Sequence, residues 1–259
     1  MPASPAQSAL RFGEVCTRDD AVPTASRGFV RYRFQGPPMS GFVTARQKMV
    51  DGQVRPSDVA DIRILDAMLA VPREAFVPAS QRALAYLDLD LDVSAGAGAR
   101  RFLIKPLVTG KMLQAAEIKE GDKVLVAGTA AGYTAAVVAQ LAGQVIATES
   151  DPAEVAKASD VLAQLGLSNV TFGVSAAADG DAASGPYDVI VLDGATEIAP
   201  DRLYGQLKEG GRLVGVFAIT RPPRAVIVTH THGDFGTRAL FDATAPVLPG
   251  LESLPAFVF

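Results

Sequence analysis

The sequence predicts a doubly wound α/β fold: a mostly parallel sheet with helices on both faces, an antiparallel hairpin at one edge, and extra helices ahead of it. Three observations predict it. Short apolar runs without strict polar alternation, such as Lys123–Ala127 (KVLVA) and 188–192 (DVIVL), read as strands buried on both faces. Helical patterns lie between these runs, as parallel crossovers require. The last two apolar segments, Arg224–Thr231 and 237–243, read as a terminal antiparallel pair.

Taken in order, residues 1–38 stand apart. They hold Pro2, Pro5, Pro23, Pro37 and Pro38 and show no apolar period, so they read as an extension without its own core. Five arginines against Glu14, Asp19 and Asp20 give this segment +2, opposite in sign to the −6 of the remainder. Phe29, Val30, Tyr32 and Phe34 suit an arm that docks on a protein partner; a solvated tail is the other reading. Met39 is a second candidate start, and residues 39–259 form a single domain.

Helical patterns begin near Thr44. Ser57 can cap a helix over 58–70, where Ile62, Leu65, Met68 and Leu69 recur at helical spacing, and Pro72 stops it. A short helix follows at 80–85. The stretch 92–99 (DVSAGAGA) reads as a loop. Pro106 opens a helix at 107–116. The alternating part then runs strand Lys123–Ala127, helix 133–141, strand 144–148, helix 152–165, strand Val170–Val174, strand 188–192, helix 202–207 and strand 211–217, before the hairpin.

The totals exclude several classes. Lys plus Arg is 24 against 28 for Asp plus Glu, a net charge of −4, which argues against a general nucleic-acid binder. One cysteine, Cys16, cannot form a disulfide within the chain. With His230 and His232 it makes too small a set for a zinc site, and no acid or His motif surrounds it as a nucleophile. The two histidines alternate onto one face of the edge pair and read as exposed edge residues. No apolar run approaches the roughly 18 residues of a membrane span. The start lacks the basic and apolar regions of a secretory signal, so a cytoplasmic location is expected.

Ligands of such sheets bind outside the carboxyl ends of the strands. There the sequence offers Gly128-Thr129-Ala130-Ala131-Gly132-Tyr133, a small-residue turn between strand and helix that lets a ligand approach backbone. Glu149 ends the next strand, 17 residues beyond Gly132, where a carboxylate can accept both hydroxyls of a ribose. The pair fits a nucleoside-containing cofactor. A close helix–strand contact and a solvated strand-end charge are the plainer readings.

The wider order of motifs resembles the protein-L-isoaspartate O-methyltransferase family, S-adenosylmethionine-dependent enzymes of Rossmann-like methyltransferase fold. The resemblance runs from about 44 to 250. It rests on MVDGQVR at 49–55, ILDAM at 64–68, VPREAFVP at 71–78, Leu84-Ala85-Tyr86 with Asp88, VLVAGTAAGY at 124–133, YDVIV at 187–191 and QLKEGGRLV at 206–214. It implies methyl transfer from S-adenosylmethionine to an isoaspartyl carboxylate of a damaged protein. That nucleophile is already ionised at neutral pH, so alignment supplies most of the catalysis.

Departures from the family pattern fall at the chemistry. The family's G-Q-T-I-S-Q-P segment aligns on 100–106, which puts Ile104 at the serine position and leaves Arg101 and Lys105 as candidate contacts to the substrate carboxylate. A solvated basic cluster is the other reading of those cations. Val126 stands where the family has an acid, and Ala130 replaces a glycine. Ser175-Ala176-Ala177 replaces G-D-G, with Asp179 as the acid that can reach back, while Glu149 is retained. Asp193, where the family has a small or hydroxyl residue, can compensate or be only a strand-end charge. The residues implied for the cofactor are thus Gly128, Thr129, Ala130, Gly132, Tyr133, Glu149, Ala176 and Asp193. The changes argue for weakened or changed cofactor use. Three readings stand open: an isoaspartyl or related protein carboxyl methyltransferase, a silent accessory subunit of a larger assembly, and a same-fold methyltransferase with another substrate.

Overall fold

The computed structural model describes residues 40–94 and 99–254. The extension, with Cys16, the Phe29–Val30–Tyr32–Phe34 cluster and Met39, lies outside the described residues, as does the tip of the glycine–alanine loop at 95–98. Helix α1 (Ser40–Met49) runs through one π-turn (Val50–Val54) and one 3-10 turn (Arg55–Ser57) before α2 (Ile62–Ala70).

The expected Ser57 cap is not the cap. Asp58 takes a left-handed conformation with φ 67°, which stops a helix from starting there, and Ser57 Oγ donates back to the Gln53 carbonyl. Asp61 caps α2 instead, accepting from the Arg63 amide. The VPREAFVP segment and the stretch after it form 3-10 turns, Arg73–Phe76 and Ala79–Leu84. They are tied to α1 by Arg46, which donates to Glu74 at 3.2 Å and to the Tyr86 hydroxyl at 2.9 Å, while Tyr86 donates to Glu74.

The expected loop at 92–99 is flanked by a small hairpin, β1 (Leu91–Asp92) with β2 (Phe102–Leu103). Two residues per strand are too few for any periodicity to show. Helix α3 (Pro106–Ala116) leads into β3 (Lys123–Ala127), α4 (Tyr133–Ala139), β4 (Gln144–Glu149), α5 (Pro152–Gln164) and β5 (Val170–Val174). Then come β6 (Tyr187–Thr196), α6 (Asp201–Tyr204), β7 (Leu207–Phe217), β8 (Arg224–Thr231) and β9 (Asp234–Asp242).

The seven-stranded sheet has the order β5-β4-β3-β6-β7-β8-β9, parallel through β7 and antiparallel at the β7–β8–β9 edge. Strands β6 and β7 extend past the predicted 188–192 and 211–217, because a register shift lets Leu207 pair with Tyr187 ahead of Arg212 with Val189. The helix expected at 202–207 is correspondingly shorter. Alternate residues serve two cores. Val124, Val126, Val189 and Val191 pack with α1–α4 residues such as Met49, Met112 and Val137, whereas Leu125, Ala127, Ile190 and Leu192 pack with Leu203 and Leu248.

Strand β3 is flanked by β4 and β6, so strand order reverses there. Ala127 is level with Thr148 on one side and with Leu192 on the other. The next residue of each strand therefore emerges in one row: Gly128, Glu149 and Asp193.

Candidate active site

Past Ala127 the chain turns sharply. Gly128 and Gly132 have φ of 73° and 93°, conformations that favour glycine. The Gly128 and Thr129 amides both donate to the Thr148 carbonyl at 3.0 Å, pinning the turn to β4. Ala130 also lies in the left-handed region, at φ 47°, where an L side chain costs roughly 1–2 kcal/mol. The glycine this position usually carries in the resemblance is explained by that angle. Gly132 is close-packed: a Cβ there would stand 3.2–3.3 Å from Ala158, Leu162 and Phe172. Tyr133 begins α4 fully buried, under the guanidinium of Arg73 at 4.6 Å.

Glu149 is buried. Its Oε1 accepts from Arg101 Nε at 2.8 Å, from Ser150 Oγ at 3.0 Å and from the Asp151 amide at 3.0 Å. Asp193 is also buried, and its Oδ1 accepts from Thr134 Oγ1 at 2.7 Å. Among the described residues its Oδ2 has no partner. Loss of hydration pushes its carboxyl up to about 7, with Thr134 and Arg73 pulling the other way.

Ile104 is buried and lines the same cavity as Gly128, Ala130, Glu149 and Asp193. Its carbonyl accepts from Arg73 Nη2 at 2.8 Å, and Arg73 Nε donates to Ala85. Arg73 is therefore the strut that holds position 104 against the turn. It lies inside VPREAFVP, where the residues alone mark no role for it. Its place beside Glu74 in an otherwise apolar run was the available signal.

The two candidate cations part company. Arg101 faces Glu149, bonding it and Ser150, with its Nη1 on the Ala99 carbonyl at 2.7 Å. Lys105 stays beside position 104, its Nζ 3.4 Å from Thr244 Oγ1 and 3.8 Å from Asp90. Asp179 does not reach back, because Arg202 on α6 captures it at the surface. Val126 is wholly in the helix-side core. Ala176 sits at the turn after β5, where its carbonyl accepts from the Asp179 and Gly180 amides. His230 stacks on Phe235 and contacts the Lys208 carbonyl through Nδ1. His232 falls in the hairpin turn at φ 55°, outside the strand where alternation expected it.

The family model for protein-L-isoaspartate(D-aspartate) O-methyltransferase matches residues 44–222. The chain belongs to this family.

Members similar to it include the protein-L-isoaspartate O-methyltransferase of Koribacter versatilis, 38% identical over 178 residues, which covers 69% of this chain and 78% of that one. A protein-L-isoaspartate O-methyltransferase of Rhodopseudomonas palustris is 37% identical over 203 residues, covering 76% and 81%. Among solved structures, a protein-L-isoaspartate O-methyltransferase superposes with a TM-score of 0.71 at 23% identity, over 80% of this chain and 67% of that one. A Plasmodium falciparum structure described as a family enzyme in complex with S-adenosyl-L-homocysteine has a TM-score of 0.66 at 18% identity, over 78% and 97%. These two show the fold. The Gly128 turn, Glu149 and Ile104 line one cavity at the carboxyl ends of the strands. No helix among the described residues is long and apolar enough to cross a membrane.

The donor set fits a nucleoside-containing group: a glycine-bearing turn, a carboxylate at the neighbouring strand end, and a second carboxylate with one oxygen unpartnered among the described residues. One cavity among the described residues, about 20 Å³, is lined by Gly128, Glu149 and Asp193 together with Pro246, Val247, Leu248 and Pro249. Nothing in the residue types of this 246–249 segment marks where it lies.

Proposed function

We propose that this chain is an S-adenosylmethionine-dependent methyltransferase that esterifies a protein carboxylate, of the isoaspartyl class for which its relatives are named. The observation that carries the reading is the row of Gly128, Glu149 and Asp193 at three registered strand ends, with position 104 against it. When bound, the cofactor supplies a methyl group activated by its sulfonium. Glu149 accepts the ribose hydroxyls, Gly128 allows backbone approach, and Asp193 offers Oδ2 to the cationic amino-acid end.

The substrate carboxylate is ionised at neutral pH, so the chain needs no general base. Its task is to hold that carboxylate in line and exclude water. Lys105 is the cation beside position 104 that orients it. Ile104 brings no hydroxyl, and a missing transition-state donor lowers a rate by about 10²–10³. The basal activity is accordingly slow. A cytoplasmic location goes with this reading, as does an N-terminal extension, residues 1–38, that serves as an arm for a protein partner. Co-purification with and without residues 1–38 tests the arm; an unchanged partner profile rejects it. The main test is transfer of labelled methyl from S-adenosylmethionine to an isoaspartyl peptide, with the aspartyl peptide as control.

A further inference from the structure

We infer that Arg73 and Asp90 clamp the peptide group between Ile104 and Lys105 from its two sides, as a pair of positioning residues that sets where 104 and 105 stand during methyl transfer. The inference rests on the proposed function above. The Ile104 carbonyl accepts from Arg73 Nη2 at 2.8 Å, and the Lys105 amide donates to Asp90 Oδ1 at 3.0 Å. These are the two polar ends of one planar unit. A cation stands at its negative end and a carboxylate at its positive end. Both contacts are charge-assisted, and together they stop the plane from turning.

Local structure brings the two jaws together. Leu91 of β1 pairs with Leu103 of β2, so the next residues outward, Asp90 and Ile104, are level. Arg73 Nε holds the Ala85 carbonyl at 2.9 Å, at the head of the segment that leads to Asp90. Its guanidinium lies 4.6 Å from the centre of the Tyr133 ring, on the first residue of α4 after the turn. The clamp is thereby tied to the turn that carries Gly128 and Gly132. On the other side the chain enters α3: Lys105 precedes Pro106, and its carbonyl accepts from the Thr109 amide at 3.1 Å.

Each jaw does more than one job. Arg73 is 1% exposed and spans two carbonyls that lie 19 positions apart in the chain, 85 and 104. Asp90 is half-buried and also stands 3.8 Å from Lys105 Nζ, so one carboxylate holds that residue at its amide and at its charge. Burial pushes the Asp90 carboxyl up, while the Lys105 amide, the Lys105 ammonium and Arg73 draw it back. Ile104 lines the cavity with Gly128, Ala130, Glu149 and Asp193, and the jaws stand behind it. They act through 104 and 105 rather than on a ligand. An error of about 1 Å in such a placement costs about 10²-fold in rate.

The test uses the full chain, labelled methyl transfer to an isoaspartyl peptide, calorimetry with S-adenosylhomocysteine, and hydrogen exchange at the Lys105 amide. Asp90→Ala should lower kcat about 10²-fold, leave S-adenosylhomocysteine affinity within about twofold, and speed Lys105 exchange about tenfold or more. Asp90→Asn keeps an acceptor for that amide and should recover most of the rate. In the Asp90→Ala background, Ile104→Ser should lose most of its gain, because a hydroxyl on an unheld peptide group is not aimed. Arg73→Lys, which cannot keep the fork of the guanidinium on two carbonyls, should lower kcat without adding to the effect of Asp90→Ala. Wild-type kcat in the folded variants overturns the clamp while the proposed function stands. So does a lowered kcat with Lys105 exchange and the Ile104→Ser gain unchanged. No labelling by folded wild type and Ile104→Ser alike overturns the proposed function and the positioning role together.

Discussion

Arg101 and Glu149 form an ion pair, Nε to Oε1 at 2.8 Å, with side chains 10% and 5% exposed. The arginine comes from the segment before α3 that carries position 104. The glutamate ends β4. The pair thus ties the segment before α3 to the end of β4.

Removing one partner of a buried pair leaves the other charge uncompensated, at a cost of about 3–5 kcal/mol. Glu149→Gln should lower the unfolding free energy by that order and weaken S-adenosylhomocysteine binding more than tenfold. The double variant with Arg101→Gln should recover most of the stability and none of the affinity. Urea unfolding and calorimetry on the same samples check both expectations.

Ile104→Ser restores a hydroxyl at the position against the cofactor turn. Methyl transfer to an isoaspartyl peptide should rise by about 10²–10³ in kcat, the worth of a recovered donor. The same change removes buried apolar volume and should cost about 2–4 kcal/mol of stability. No rise in kcat would mean that the hydroxyl is not what limits the reaction.

Asp193 makes stability depend on pH. Its carboxyl titrates near 7 when folded and near 3.8 when unfolded, because burial disfavours the anion. Between those values the folded state holds a proton that the unfolded state has shed. Stability should therefore fall as pH rises from about 4 to 7, and this contribution should level off above 7. The Asp193→Asn variant should lose this component of the slope while keeping an acceptor for Thr134. Urea midpoints across the window measure it.

Gly128→Ala forces a side chain into a positive-φ position against Leu248. It should destabilise by about 1–3 kcal/mol, and Leu248→Ala should relieve the part due to contact. A thermodynamic cycle with no coupling would mean that the two residues do not touch.

The sheet was legible because its strands carry the unbroken apolar runs that two-sided burial demands, and KVLVA and DVIVL sit level in the structure as adjacent strands. The turn and Glu149 were legible because glycine angles and strand ends are written in residue types. The α2 cap was misassigned because Ser57 and Asp61 are both good caps, and only the left-handed Asp58 between them decides. Asp179 had a carboxylate of the right kind, but its partner Arg202 is distant in sequence. Leu248 carries no local mark at all. Its place over Gly128 follows from the path of the chain after β9, which pattern reading does not reach.

The most direct test of the central claim is transfer of labelled methyl from S-adenosylmethionine to an isoaspartyl peptide by the full chain. The account predicts slow, saturable labelling of the isoaspartyl peptide, none of the aspartyl control, and loss of labelling in Glu149→Gln. No labelling by protein that binds S-adenosylmethionine, or equal labelling of both peptides, would contradict it.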